Sequence, residues 1–292
     1  MFKSFILLLV SVLSLPAVYH TSVKKESAIV LSYRIENICV LPDELSETSG
    51  IITFDSLIWT FNDSGGEAKI FGLNTKTGSI TRTLEIKNGK NSDWEDIGQN
   101  KEFIFIGDFG NNDGSRKDLR IYMLPKKNIT RQQSQTIDAL VIDFYYEDQE
   151  DYTPAMFASS FDCEAMIATT DSLYLFTKDW INLHTSIYSV PAKAGRFKAK
   201  HTGNFNSEGL ITGADINSKD QSVVLCGYNL FYPFIIVIND VHQLKEINRV
   251  DLEEISGSQI EGVCFINDNR FYVSNENSTE KQSLKRIILN NH

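Results

Sequence analysis

The sequence predicts an all-β protein built from repeated four-stranded units, and three observations support this prediction. The chain of 292 residues contains 18 Phe and 11 Tyr but only 4 Met, and aromatic side chains favour the half-buried, pleated surface of a strand. Short apolar segments with alternating side chains follow one another, separated by turns rich in Gly, Asn and Asp. The same strand–turn–strand pattern also returns at nearly regular intervals, and no long amphipathic helical pattern is found along the sequence.

The repeated pattern is an acidic or small residue, a short apolar strand, a polar turn, a second strand and a polar loop. Its five copies read SETSGIITFDSLIWTFNDSGG, NSDWEDIGQNKEFIFIGDFGNN, SFDCEAMIATTDSLYLFTKDW, LITGADINSKDQSVVLCGYN and SQIEGVCFINDNRFYVSNEN. Counted between Gly50, Asp96, Ala165, Ala214 and Gly262, the intervals are 46, 69, 49 and 48 residues. Two further strands are predicted after each of the first four copies, for example LRIYMLP and TIDALVIDFYY after the second. Four-stranded units at about this spacing are typical of a β-propeller.

The fifth unit lacks a fourth strand, because a single strand, LKRIILN, follows its first pair. An unpartnered strand, Tyr33 to Leu41, precedes the first unit. We therefore expect this segment to pair with Leu284 to Leu289 and to close a ring of five blades, since open strand edges are unfavourable. Six blades is the alternative, if the insertion between Lys126 and Phe161 contributes strands of its own.

The N-terminal segment has the pattern of an export signal. Lys3 supplies a positive charge, and the apolar run from Phe5 to Leu15 is too short to span a bilayer as a helix. We predict a signal peptide over residues 1–22, cleaved between Ala17 and Ser22, and a single propeller domain over residues 23–292. An uncleaved anchor or a buried N-terminal segment is the alternative. The expected location is secreted or periplasmic, and no transmembrane segment is expected in the mature chain.

Composition narrows the possible partners. The formal net charge is −10 with acidic residues scattered along the chain, so a nucleic-acid partner is not expected, because phosphate binding needs a concentrated basic face. Small cations and neutral or cationic ligands suit this field better, and a monomer is expected. The four cysteines form no CxxC pair, and each lies in or beside an apolar segment. We expect buried free thiols at Cys39, Cys163, Cys226 and Cys264. Disulfides formed in an oxidising compartment are the alternative, with three possible pairings that the sequence does not distinguish.

Propeller geometry predicts where the acidic residues gather. The start of a blade's first strand and the end of its antiparallel second strand lie on the same face. A ring of carboxylates and amides there would suit calcium or another divalent cation, with Glu95, Glu164, Glu261, Glu47 and Asp63 as metal ligands. The alternative is that these acids only bond the backbone amides of neighbouring turns. The full ring predicted at this face comprises Glu47, Glu95, Asp96, Glu164, Asp215, Glu261, Asn62, Asp63, Asp108, Asn111, Asn112, Asp179, Asn229, Asn275 and Glu276.

A ligand pocket is expected beside these acids. Trp94, Lys178 and Tyr228 supply an aromatic ring, a cation and a phenol, although a surface ion pair is an equal alternative for Lys178. The ligand-binding residues predicted from the sequence are Trp94, Asp108, Asn111, Lys178, Tyr228 and Asn275. No G-x-S-x-G motif is found and no histidine falls in a repeated motif, so no catalytic residue is assigned. An enzyme of this sequence would use a metal and a carboxylate.

The motifs SETSGI, DWEDI, IFIGDFGNN, DCEAM, LYLFTKDW, SIYSVP and IEGV together resemble those of exported bacterial propellers. The chain is similar to uncharacterised members related to the SdiA-regulated, phytase-like and gluconolactonase-like (NHL-type) propellers. The resemblance implies a propeller with an acid-lined, calcium-binding face. In gluconolactonase-like relatives the Glu of an E-G motif binds a divalent metal, and the match here falls on Glu261, with Glu164 and Glu95 as analogues. No catalytic base triad of the family maps onto this sequence.

Two functions follow as hypotheses. The first is an exported propeller whose acidic, calcium-binding face binds a small molecule, a glycan or a protein partner. The alternative is a metal-dependent hydrolase of phosphoesters or lactones that uses the same face. The sequence leaves open whether the protein is an enzyme, and the absence of a nucleophile–base pair favours the binding function.

Overall fold

The computed structural model describes residues 32–240 and 245–290, with side chains from residue 247 onward in the second range. The predicted signal peptide lies outside the described residues. Within them the chain is all-β, as the sequence predicts, apart from short 3-10 helices at Asp43–Leu45, Lys126–Asn128 and Glu253–Ile255. The strands are β1 Tyr33–Val40, β2 Ile52–Phe54, β3 Leu57–Thr60, β4 Lys69–Asn74, β5 Ile80–Ile86, β6 Trp94–Gln99, β7 Phe103–Asp108, β8 Arg120–Pro125, β9 Ser134–Ile137, β10 Leu140–Tyr146, β11 Asp162–Ala168, β12 Ser172–Lys178, β13 His184–Pro191, β14 Gly195–Asn206, β15 Leu210–Ile216, β16 Val223–Asn229, β17 Tyr232–Asp240, β18 Lys245–Asp251, β19 Ile260–Asn267, β20 Arg270–Asn275 and β21 Ser283–Leu289.

The strands hydrogen-bond into four sheets, of which the largest has eight strands in the order β11-β12-β13-β14-β10-β8-β7-β6. These sheets contain five sets of four antiparallel strands: β2–β5 (set 1), β6, β7, β8 and β10 (set 2), β11–β14 (set 3), β15–β18 (set 4), and β19, β20, β21 and β1 (set 5). Sets 2 and 3 share one sheet because their outer strands, β10 and β14, pair in parallel.

The N-terminal strand completes set 5, as predicted. β1 pairs antiparallel with β21, from Tyr33 opposite Leu289 to Val40 opposite Ser283. The Arg286 guanidinium reaches across this pair and donates a 2.7 Å hydrogen bond from Nε to Glu36. The two ends of the described chain are therefore joined by backbone and side-chain bonds.

The insertion between sets 2 and 3 adds strands to existing sheets instead of forming a further set. The segment TIDALVIDFYY was predicted as one strand, and the structure divides it into β9 and β10. The division lies at Ala139, whose N–H and carbonyl oxygen both bond the side-chain amide of Asn88 at 2.9 Å. β9 consequently pairs in parallel with β5 at the edge of set 1, and β10 becomes the outer strand of set 2.

The core lies between consecutive sets. The first strands β2, β6, β11, β15 and β19 contact one another in chain order, and β19 also contacts β2. Five apolar clusters fill the space between neighbouring sets, the fifth lying between set 5 and set 1. Full burial of one such large apolar side chain stabilises the fold by about 1.5–3 kcal/mol. One fully buried member of each cluster is Trp59, Phe105, Phe176, Phe271 and Ile58.

The cysteines are free thiols, as expected from their sequence context. Cys163, Cys226 and Cys264 are buried, whereas Cys39 is half-buried. Among the described residues, no helix has the length and hydropathy needed to cross a membrane.

Candidate functional site

A cavity of about 290 Å³ lies where the first strands of the sets begin and their second strands end. We call it the acidic cavity. Glu95, Glu164 and Glu261 reach it from the starts of β6, β11 and β19, while Lys178 and Tyr228 reach it from the ends of β12 and β16. The predicted convergence of strand starts and strand ends is therefore observed. Its full lining comprises Ser49, Asp63, Glu95, Asn112, Phe157, Glu164, Lys178, Trp180, Tyr228, Gln259, Glu261 and Glu276.

A β-bulge brings each of the three glutamates into the cavity. The antiparallel register between first and second strands shifts between Trp94 and Asp96, and equivalent shifts occur at Glu164 and at Glu261. An extra residue in one strand redirects its side chain away from the regular alternation. Set 4 has the same irregularity, and there the bulged residue is Thr212, whose hydroxyl donates to the Ile260 carbonyl oxygen.

Three carboxylates form a cluster at one side of the cavity. Oxygens of Asp63, Asp93 and Glu95 all lie within 4.8 Å of one another. The Glu95 side chain is nearly fully buried, with the residue 5% exposed. Within the described part of the chain, no hydrogen-bond donor reaches the carboxylate of Glu95 or Asp93. We call these three residues the carboxylate cluster.

Burial and mutual repulsion make this cluster unfavourable without a counter-ion. Desolvation, with smaller contributions from neighbouring carboxylates, raises the pKa of Asp63 to about 6 and that of Asp93 to about 7. Desolvation and the charge of Glu164 raise the pKa of Glu95 well above its ordinary value. A bound cation would offset both effects, because it favours the ionised form of each carboxyl group.

The loop after β7 packs directly against the Glu95 and Asp93 carboxyl groups. Gly110 approaches so closely that a methyl group at its Cα would overlap Glu95 Oε1 and the Asp93 carboxylate. The Gly110 N–H donates to the Asp93 carbonyl oxygen at 3.2 Å and holds the two segments together. Glycine at this position therefore keeps the carboxylate oxygens accessible from the loop.

The other side of the cavity contains a buried ion pair. Lys178 Nζ lies 3.0 Å from Glu164 Oε2, and both side chains are almost fully buried. The ammonium also lies 4.7 Å from the centre of the Trp180 ring, within cation–π range. Burial disfavours the charged lysine, but Glu164 and the other carboxylates outweigh this effect and raise the pKa of Lys178. Lys178 is therefore a protonated partner of Glu164, and the predicted surface ion pair is instead a buried one.

Two more glutamates line the cavity near this pair. Burial raises the pKa of Glu261 to about 8 and also raises the pKa of Glu276. The side-chain amide of Gln259 partly offsets this rise in pKa for both carboxyl groups. Of the described residues that line the cavity, five carry carboxyl groups and Lys178 alone carries a basic group.

Trp94 does not line the cavity, which corrects the sequence-based prediction. It is fully buried in the core between sets 1 and 2, where its ring packs edge-on against Phe61 at 5.5 Å. Its indole N–H donates to the Lys90 carbonyl oxygen at 2.9 Å. The bulge turns the Glu95 side chain towards the cavity and leaves Trp94 in the core.

Three other predicted ligand-binding residues serve the loops around the cavity. Asp108 bonds the Arg116 guanidinium at 3.0 Å and accepts a hydrogen bond from the Asp93 N–H at 3.1 Å. Asn111 Oδ1 accepts from the Arg116 N–H, and Asn275 Oδ1 accepts from Lys285 Nζ. None of the three contributes to the cavity lining, and Asp108 acts on the site by positioning Asp93.

Three predicted acids also lie away from the cavity lining. Glu47 is at its border, where its carbonyl oxygen accepts from the Asp63 N–H and its charge raises the pKa of Asp63. Asp96 is buried between first strands, and Asp215 lines a different cavity at the opposite ends of those strands. The alternative for the predicted acids was that they only bond backbone amides. Asp96 and Asp215 agree with this alternative, since both accept hydrogen bonds from backbone N–H groups.

Sequence reasoning missed several residues of the site. Asp93 was not singled out, although its place two residues before Glu95 brings it to the same cavity edge. Phe157 comes from the insertion, whereas Trp180 and Gln259 lie in the loops at the end of the third copy and the start of the fifth copy of the repeated pattern, where they were not singled out. The acidic character of Asp93 was visible in the sequence, whereas the positions of these loop residues depend on packing.

Comparison with known proteins adds no argument about function. No family model and no curated protein matches the sequence. Among solved structures, U3-55K is similar over 82% of this chain at 12% identity with a TM-score of 0.41, and this chain spans 61% of that one. The computationally designed Ika8 protein is similar over 85% of this chain and 99% of its own, at 9% identity and a TM-score of 0.35.

Proposed function

We propose that this protein is an exported five-bladed β-propeller whose acidic cavity binds a divalent cation, calcium, and with it a small molecule, a glycan or a protein partner. The carboxylate cluster is the observation that carries the proposal. This cluster consists of Asp63, Asp93 and Glu95. The sequence resemblance to exported, calcium-binding propellers points the same way.

The propeller interpretation is supported by the arrangement of the five sets. Each set is a four-stranded antiparallel unit. The first strands of the sets, taken in chain order, contact one another from β2 to β19, and β19 contacts β2. Apolar clusters lie between every pair of neighbouring sets, including set 5 and set 1. This is the contact pattern expected of blades around a common axis.

The chemistry of the cluster suits calcium. Calcium binds carboxylate, carbonyl and water oxygens at about 2.3–2.6 Å, so two of its ligand oxygens lie at most about 5 Å apart. The cluster meets this limit, with all three ligand atoms within 4.8 Å of one another. Asp63, Asp93 and Glu95 would hold the ion, and the remaining ligand positions would be available to water or to an oxygen of the bound partner.

Melting curves in EDTA and in millimolar calcium test this proposal. Binding to the folded state alone stabilises it by about 2.7 kcal/mol at a hundredfold excess over Kd. We expect Glu95→Gln and Asp93→Asn to lose most of the resulting rise in melting temperature, which is roughly 5–10 °C for a domain of this size. Glu85→Gln, at an exposed site on β5, is the matched control. Identical curves for the parent protein with and without calcium would contradict the proposal.

Export rests on residues 1–22 and is tested separately. Secretion through a signal peptidase removes this segment, so the intact mass of the recovered protein should correspond to a chain that begins between Ala17 and Ser22. A full-length chain recovered from the cytosol would contradict export without affecting the cation site.

One observation favours the hydrolase as a second candidate function. Glu261 lies in the same cavity as the carboxylate cluster, and its pKa of about 8 keeps it protonated at neutral pH. A protonated carboxyl beside a metal-bound water can act as a general acid. Hydrolysis of p-nitrophenyl esters, phosphates and lactones with and without calcium tests this function. Calcium-dependent turnover that Glu261→Gln abolishes would support it.

A further inference from the structure

An exposed apolar surface borders the acidic cavity. Large apolar side chains on three loops are 53–78% exposed to solvent. Contiguous exposed apolar surface on a folded protein marks an interaction site more often than scattered single residues do. We call this surface the apolar rim; it comprises Met156, Phe157, Ile181, Leu230, Phe231 and Tyr232.

The three loops of the rim lie on the cavity face of the molecule. Phe157 lines the cavity itself, and its ring packs against Trp180 at 4.6 Å. Ile181 directly follows Trp180 in the turn after β12. Leu230 and Phe231 form the turn after β16, the strand that places Tyr228 in the cavity. The three loops therefore lie at the same end of the strands as the cavity. The Phe231 carbonyl oxygen accepts from the Gly257 N–H, two residues before Gln259 of the cavity lining, and Leu230 and Tyr232 also line a second cavity with Arg249.

Backbone conformation gives a second sign that the rim serves binding. Phe157 and Leu230 have φ angles of 55° and 56°, in the left-handed region. Glycine and asparagine adopt this conformation readily, whereas a large apolar residue is sterically disfavoured there. Stability alone would favour Gly or Asn at both turns. Retaining exposed apolar side chains at a conformational cost is characteristic of functional surfaces.

The charge of the cavity indicates what this face binds. With calcium at the carboxylate cluster and Lys178 committed to Glu164, Glu261 and Glu276 have no cationic partner among the described lining residues. A polyanion would be repelled by the carboxylates of this cavity, and a wholly apolar partner would give Glu261 and Glu276 no polar partner. The cation of a basic side chain favours the ionised form of both carboxyl groups, so Glu261 would release the proton that it holds in the empty cavity. The surrounding rim would accept apolar neighbours of that side chain.

We propose that the apolar rim and the acidic cavity form one docking surface for a polypeptide that presents a Lys or Arg between apolar side chains. This inference names the partner class of the proposed binding face and rests on that proposed function. The basic side chain enters the cavity beside Glu261 and Glu276. The flanking apolar side chains cover Phe157, Leu230 and Phe231.

Selection from a random-peptide phage library on the folded protein in calcium tests this inference. We expect enriched peptides to contain Lys or Arg next to aromatic or aliphatic residues. Synthetic versions should bind the double variant Leu230→Ser and Phe231→Ser, and separately Glu261→Gln, about tenfold or more weakly than the parent. Leu140→Ser, at an exposed apolar site on β10, is the matched control and should bind unchanged.

Three results would overturn the inference. The first is enrichment of acidic or uncharged peptides, or no enrichment at all. The second is peptide binding that the rim variants leave unchanged. The third is self-association of the chain that the rim variants abolish, since the occupant would then be a second copy. Failure of the proposed cation site would be seen in a different measurement, because the melting curve of the parent protein would then not respond to calcium. Failure of the cation site and failure of the docking surface are therefore distinguishable.

Discussion

The two cavities at opposite ends of the first strands differ in how their polar groups are satisfied. The opposite cavity is the larger, at about 640 Å³, and it lies where β2, β6, β11, β15 and β19 end. There the Gln99 amide donates to the Thr53 carbonyl oxygen, and Lys126 Nζ donates to Gln99 Oε1 and to the Asn100 carbonyl oxygen at 2.7 Å. Asp215 accepts the Phe265 N–H at 2.8 Å. In the acidic cavity, Glu95 and Asp93 have no such donors.

The two cavities therefore differ in the partners of their polar groups more than in size. The groups of the larger cavity named above bond one another and the backbone, so they contribute to the fold. At the smaller cavity Lys178 pairs with Glu164, whereas the carboxyl groups of Glu95 and Asp93 receive no hydrogen bond from the described residues. A buried polar group without a partner is costly, so a ligand that bonds these two groups would stabilise the folded state.

The same contrast holds between two adjacent residues of β6. Asp96 accepts hydrogen bonds from the N–H groups of Ile97, Met166 and Ala214 at 2.8, 2.7 and 3.3 Å and so links three first strands. The carboxyl group of Glu95, its neighbour, accepts none from the residues that the structure describes. Asp96 therefore stabilises the fold, whereas the buried Glu95 carboxyl is left without a hydrogen-bond partner.

The largest expected change in stability follows from replacing Asp96. Asp96→Ala leaves three buried N–H groups without an acceptor, at a cost of about 1–3 kcal/mol for each unsatisfied group. We expect the free energy of unfolding in urea to fall by about 3 kcal/mol or more. Glu95→Gln in EDTA should leave it unchanged or raise it, since this change removes a carboxyl group that burial disfavours in its ionised form. Equal losses for the two variants would contradict the division of roles.

The second effect is expected on the calcium response when Gly110, beside the carboxylate cluster, is replaced. Gly110→Ala places a methyl group against Glu95 and Asp93, so calcium should no longer raise the melting temperature. The lost stabilisation is about 2.7 kcal/mol at a hundredfold excess over Kd. Gly98→Ala is the matched control, because a methyl group there meets Met166 at 3.4 Å, an ordinary contact. A calcium response retained by Gly110→Ala would place the ion elsewhere.

The pH dependence of stability should differ with and without calcium. Asp63 and Asp93 have pKa values of about 6 and about 7 in the folded protein, against 3.8 ordinarily. The folded state therefore binds these protons more tightly, so its stability without calcium falls as pH rises from about 4 to about 7. From these two pKa values we expect the free energy of unfolding in urea to be about 4 kcal/mol lower at pH 7.5 than at pH 5. Saturating calcium, which competes with these protons, should remove this decline, and Asp93→Asn should reduce it.

The smallest effect is expected at the opposite cavity. Lys126→Met removes two hydrogen bonds but retains the packing of the aliphatic chain, so the free energy of unfolding should fall by about 1 kcal/mol. The calcium response should be unchanged. A reduced response would show that the two cavities are coupled.

Much of the fold was predictable because it depends on local, repeated patterns. The alternation of apolar side chains and the recurring turns predict antiparallel strand pairs, and the unpartnered strand at Tyr33 predicts its pairing with β21. Antiparallel geometry also brings the starts of first strands and the ends of second strands together. That reasoning correctly placed Asp63, Glu95, Glu164 and Glu261 in one cavity with Lys178 and Tyr228.

The tertiary structure decided what depends on the direction of individual side chains. A slip of one residue moves a strand side chain to the other face, and the bulges at Glu95, Glu164 and Glu261 shift the register in this way. Trp94 is therefore a core residue, which its acidic neighbours in the sequence do not reveal. The insertion contributed Phe157 to the cavity through long-range packing alone. By itself the sequence determined the antiparallel pairs within the repeated units and which acids converge, because strand period and antiparallel pairing are local properties. The parallel pairs β5–β9 and β10–β14, and which carboxylates remain without a partner among the described residues, were decided only when the sets packed together.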